Sequence, residues 1–101
     1  MALDEDDYIK FKDTILTAFK ELKATELEYY WRWVFLLPTH SLRMNEENID
    51  YKYEIPIGWN GYGLDDLMRM VDEGYLVLQS ETEEDPITLE KIRIFSLKVC
   101  E

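Results

Sequence analysis

Apolar residues return every three to four positions near the start of the chain. Tyr8, Phe11, Ile15, Ala18, Phe19 and Leu22 make one stripe, and Lys10, Lys12, Asp13, Lys20 and Glu21 fall on the other side. This period predicts an amphipathic helix over residues 6–23. Asp4 or Asp6 can cap it, Glu5 and Asp7 suit the positive end of its dipole, and Lys20 and Lys23 suit the far end.

The next segment obeys two periods at once. Thr25 and Glu28 form a capping box, after which Leu27, Tyr30, Trp31, Val34 and Phe35 would share a helical face. Tyr29, Trp31, Trp33, Phe35 and Leu37 also alternate, and this aromatic, β-branched composition suits a strand. The cap favours a helix over residues 26–36, ending before Pro38. Tyr29 and Trp33 would then project as an exposed pair and are candidate partner-binding residues, the alternative being that they pack beneath the loop that follows. Residues 38–50 read as a polar loop.

Tyr51, Tyr53, Ile55 and Ile57 alternate with Lys52, Glu54 and Pro56, which predicts a strand. Pro56 has no amide hydrogen, so that strand is an edge or ends there; as an edge it could pair with a second copy of the chain. Residues 58–63 (Gly-Trp-Asn-Gly-Tyr-Gly) make a turn-rich loop. A short helix over 64–73 follows, with Leu64, Leu67, Met68 and Val71 inward and Gly74 ending it in a left-handed conformation. Strands are expected over 75–80 and 91–99, joined by a charged hairpin loop at 81–86.

These elements add up to one α+β domain over residues 1–101: two N-terminal helices packed on a small antiparallel sheet of about three strands, with one short inserted helix. The run 67–76 (Leu-Met-Arg-Met-Val-Asp-Glu-Gly-Tyr-Leu), followed by a hairpin, resembles the passage from recognition helix into wing in winged-helix regulators. The resemblance covers about a third of the chain and implies a winged-helix-like C-terminal half. Arg69 is the only base on that helix, however, and Asp65, Asp66, Asp72 and Glu73 surround it, whereas DNA readers carry a basic footprint.

Charge narrows the functional classes. The 101 residues hold 22 acids against 11 bases, a formal net charge of -11. Such a molecule is repelled by nucleic acid and anionic lipid and drawn to basic surfaces. One cysteine, Cys100, fits a reducing compartment. The acids after Met1 do not match the basic start of a secretory leader, and no apolar run approaches a membrane span. A cytoplasmic protein without membrane association is the expectation.

Candidate chemistry is sparse. His40 and Cys100 are the only residues of their kinds and no motif frames either, so no catalytic residue is assigned. One histidine and one cysteine are too few for a transition-metal site, and no acidic run has the frame of a calcium loop. The glycine loop does not match a phosphate-binding fingerprint, and Asp65 and Asp66 after it would repel an anion. No metal or cofactor is expected.

The remaining expectation is a non-enzymatic protein-binding module. Fourteen aromatic residues, the sum of three Trp, seven Tyr and four Phe, exceed what a small core hides. Trp59 and Tyr62 are expected as outward anchors, with Glu46, Glu47, Asp50, Asp65 and Asp66 as flanking charges. The acids cluster at residues 4–7, 46–50, 65–66, 72–73 and 81–85. Clusters meeting on one face would imitate a phosphate array. A small inhibitor covering the basic, nucleic-acid-binding surface of a partner fits this pattern, of the kind found as phage or mobile-element antagonists and toxin-immunity proteins. It would act as a monomer or homodimer. The alternatives are a winged-helix-like transcriptional regulator and an acidic adaptor or secretion-chaperone-like dimer.

Overall fold

The computed structural model describes residues 3–35, 37–55, 61–87 and 89–98. Helix α1 (Glu5–Leu22) opens where the stripe predicts. Asp4 caps it by accepting from the Asp7 amide at 2.9 Å, and Lys23 ends it in a left-handed conformation. Tyr8, Phe11, Ile15, Ala18 and Phe19 are all buried. Each of the four large ones stabilises the fold by roughly 1.5–3 kcal/mol through loss of wetted apolar surface.

The second expected helix is instead a strand, β1 (Glu26–Val34). The reason is tertiary. β1 lies at the centre of a five-stranded, wholly antiparallel sheet of order β3-β2-β1-β5-β4, so both its edges find ladder partners. Its alternation then buries Leu27 and Tyr29 on one face and leaves Glu28, Tyr30 and Arg32 on the other. A local capping box contributes only about 1 kcal/mol and cannot compete with two ladders and a buried face.

The expected loop at 38–50 is also corrected. It contains β2 (Leu37–Met44) and the two-residue β3 (Glu47–Asn48). Leu42 and Met44 point into the core, while Thr39 and Arg43 face solvent. With one polar face, the strand reads as a loop. Asn45 and Glu46 make the β2–β3 turn with φ of 50° and 67°, and Asn45 Nδ2 donates to the Leu22 carbonyl at 2.7 Å. That bond ties the turn to the end of α1.

Residues 51–55 are not a strand either. Asn48 Oδ1 accepts from the Tyr51 amide and starts a single helical turn, α2 (Ile49–Lys52). Ile49 and Ile55 are buried while Tyr51 is exposed, which breaks the expected alternation. No dimerising edge exists there among the described residues.

Helix α3 (Leu64–Asp72), β4 (Leu76–Glu81) and β5 (Lys91–Leu97) match expectation closely. Gly74 leaves α3 at φ 86°, a conformation that strains any other residue. On α3 the buried residues are Asp66, Leu67 and Met70, with Leu64, Met68 and Val71 packed beside them. The buried apolar residues form one cluster shared by α1, α3 and one face of the sheet. The other face, with Tyr30, Ser41, Arg43, Ile92 and Ile94, stays at least partly exposed, as antiparallel sheets allow. Among the described residues, no helix is long and apolar enough to cross a membrane.

Candidate functional site

The register stacks two rows of side chains across the covered face of the sheet. One row is Leu42, Tyr29, Arg93 and Glu81, and the next is His40, Trp31 and Lys91. The first row begins in the core. The second lies toward the end of the sheet that carries the β1–β2 hairpin. Here Gly61, Tyr62, Gly63, Leu64 and Asp65 make a wall opposite the sheet. The result is a half-open groove of about 450 Å³, also lined by Glu84, Lys91 and Arg93.

Its floor is an aromatic stack. Tyr62 is sandwiched between Phe11, with ring centres 5.3 Å apart, and His40, at 4.5 Å, both nearly parallel. Tyr29 meets His40 and Tyr62 edge-on, the geometry that sets a positive ring edge against a negative face. Tyr29 Oη lies 2.9 Å from His40 Nδ1, and Tyr62 Oη donates to Asp50 Oδ2 at 3.2 Å. Burial pushes the Tyr29 phenol up to about 12 and raises Tyr62 as well. Burial also lowers His40, partly offset by the Asp50 charge. Both phenols therefore keep their protons at neutral pH and His40 is uncharged. The consistent assignment has Tyr29 donating to Nδ1, which places the imidazole proton on Nε2.

This arrangement corrects several expected site residues. Tyr62 is 2% exposed, and Tyr29 and Asp50 are buried with it, so none of the three faces a partner. Asp66 is also buried. Its carboxylate accepts from the Gly63 amide at 2.9 Å and the Leu3 amide at 3.0 Å, and so serves the turn before α3. A solvent-facing carboxylate and a carboxylate that satisfies backbone donors look alike in sequence. Asp65 remains exposed and lines the groove. Glu46 and Glu47 are exposed at the β2–β3 turn, where Glu47 pairs with Lys52 at 3.1 Å. Trp33 is 37% exposed and packs edge-on against Trp31. Trp59 lies outside the described residues.

His40 falls in the stretch expected as a polar loop, yet it is half-buried on β2 and held from two sides. Sequence reasoning also missed Trp31, Glu84, Lys91 and Arg93. The signal for His40 was the inward alternation of His40, Leu42 and Met44. Lys91 and Arg93 likewise alternate with Ile92 and Ile94, and share the face of buried Phe95. Arg93 Nε donates to Glu81 Oε1 at 2.8 Å, and Lys91 Nζ lies 3.9 Å from the other oxygen of the same carboxylate.

A second group of exposed residues stands at the same end of the sheet. Trp31 pairs with Lys91, and Arg93 with Glu81, so the β1–β2 turn and the β4–β5 loop leave the sheet at one end. Phe35 (98% exposed), Leu37 and Trp33 lie on or beside the first connection, and Ile87 on the second. Glu83 and Glu84 are exposed on that second connection as well. Comparison with known proteins finds no match: no family model, no curated protein and no solved structure is significantly similar to this chain.

Proposed function

We propose that the protein is a non-enzymatic binding module, a small inhibitor-type protein that covers a basic surface of a protein partner with one end of its sheet. The observation that carries this reading is the pairing of exposed Trp33, Phe35, Leu37 and Ile87 with the acidic connection around Glu83 and Glu84 at that end. Apolar groups supply contact area, and the carboxylates supply steering toward a cationic counterpart and discrimination against acidic ones. The net charge of -11 favours the same class of partner.

The winged-helix alternative keeps the scaffold and changes the partner. Helix α3 does lead through Gly74 into the β4–β5 hairpin. Its only base, Arg69, is spent inside the molecule: the guanidinium binds Glu5 and Glu73 and lies 3.8 Å from the centre of the Tyr8 ring. A protein-binding wing therefore fits better than a DNA-reading one.

The test is affinity capture from the native host with the tagged full chain, repeated from about 50 mM to about 300 mM salt, over which exposed charges become strongly screened. A basic protein should be retained at low salt, released at high salt, and lost with Phe35→Ala or with the Glu83→Gln, Glu84→Gln double variant. Capture that ignores both salt and these substitutions would remove the reading.

A further inference from the structure

Resting on that proposed basic partner, the geometry points to the groove beside Trp31 as the receptacle for one arginine side chain of the partner. The groove has a floor of rings, Tyr29, Trp31, His40 and Tyr62, and two carboxylates, Asp65 and Glu84, along its lining. Of the rings, Trp31 and His40 keep accessible surface, while Tyr29 and Tyr62 are closed beneath them. An indole face is the strongest aromatic seat for a cation.

The charges around the groove decide the sign of its ligand. Lys91 and Arg93 also line it, but both are engaged by the one carboxylate of Glu81, at 3.9 Å and 2.8 Å. Neither Asp65 nor Glu84 has an ion-pair partner among the described residues. The two lining acids and Glu81 together outnumber the two bases, and the rest of the molecule adds to the negative field. An anion would have to displace Glu81 and approach Asp65 and Glu84; a cation meets these two carboxylates and a ring.

Size and shape favour arginine. The volume of about 450 Å³ falls at the low end of small-ligand sites, roughly 300–1,000 Å³, so it admits one long side chain and no element of structure. A planar guanidinium stacks on an aromatic face and bonds a carboxylate through two parallel donors, neither of which an ammonium does. Trp31 and Lys91, which line the groove, pair toward the end of the sheet that carries Phe35 and Ile87, so a basic patch docked at that end lies beside the groove.

The probe is a short lysine-flanked peptide with one central arginine, titrated into isotope-labelled full-length protein and followed by NMR. The Trp31 indole and His40 ring signals report the groove, and the Phe35 and Glu83 amides report the docking end. The arginine peptide should shift both sets. Replacing arginine by citrulline, which keeps the shape and removes the charge, should weaken the Trp31 response about tenfold, as expected for loss of charge-assisted bonds. Asp65→Asn with Glu84→Gln, both at exposed positions, should do the same. Equal response to citrulline, or a stronger one to a central glutamate, would overturn the assignment. Shifts at Phe35 and Glu83 with none at Trp31 or His40 would overturn the groove alone and leave the basic-partner reading standing. Silence at both sets would count against both.

Discussion

Phe35 stands at the tip of the β1–β2 hairpin with φ 57° and almost no contact with the rest of the molecule. Such two-residue turns favour Gly, Asn or Asp at positive φ, and a bulky side chain there costs about 1–2 kcal/mol. The burial of this ring returns nothing, so its presence points outward. Phe35→Gly should raise stability by about 1 kcal/mol, seen as a later urea midpoint, while weakening partner capture. A variant that loses stability, or gains it with capture intact, would contradict the role given to this ring. His40 offers a second residue-scale prediction. The fold holds it neutral, whereas the unfolded chain takes a proton near the ordinary value of about 6.5. Its contribution is thus complete above that pH and declines as pH falls toward the lower folded-state value. His40→Gln, which retains an acceptor for Tyr29, should flatten the stability–pH profile below about pH 6.5. Glu73, held below the ordinary carboxylate range by its bond from Tyr8, acts in a separate and more acidic window. An unchanged slope in the glutamine variant would show that His40 is not the titrating group.

The elements divide by how local their causes are. α1, α3, β4 and β5 were legible because each carries a clear period, a cap or a glycine stop within its own residues. β1 departs from its local signals because Thr25 and Glu28 favour a helix within the segment, while β2 and β5 impose a strand from outside. The same gap hid the site. Tyr62 and Asp50 look like a surface anchor and a surface charge, yet they bond each other beneath the groove. Asp66 belongs to this scale, since it joins the N-terminal segment to the turn before α3. Asp66→Ala strands the Leu3 and Gly63 amides and should lower stability by about 1–3 kcal/mol. Asp66→Asn, which keeps one good acceptor, should cost less. Thermal unfolding, with amide exchange at Leu3 and Gly63, checks the ordering; equal loss in both variants would mean that the bonds are not what matters.

For the whole molecule, the excess of acids sets a background that no single pair relieves. Among the described residues, ion pairs such as Lys52–Glu47 and Arg69–Glu5 stand at the exposed surface, and pairs of that kind contribute little each. Self-repulsion therefore exceeds their attraction, and salt should stabilise the fold. The unfolding temperature is expected to rise by several degrees between about 10 mM and about 150 mM salt, as the screening length falls from about 30 Å to about 8 Å. A fall over that range would show that the ion pairs outweigh the repulsion.

Composition and local pattern sufficed for the acidic character, the α+β class, the first helix with its cap, and the passage from α3 through Gly74 into the last hairpin. Each rests on neighbours a few residues apart or on simple charge sums. Only the tertiary structure decided that residues 26–34 are a central strand and that Tyr29 and Tyr62 lie beneath a groove. It alone brought Trp31, Asp65 and Glu84 to one lining. Strand pairing and burial are settled by which distant segments meet, and the energy of those meetings exceeds any preference written within a short stretch of chain.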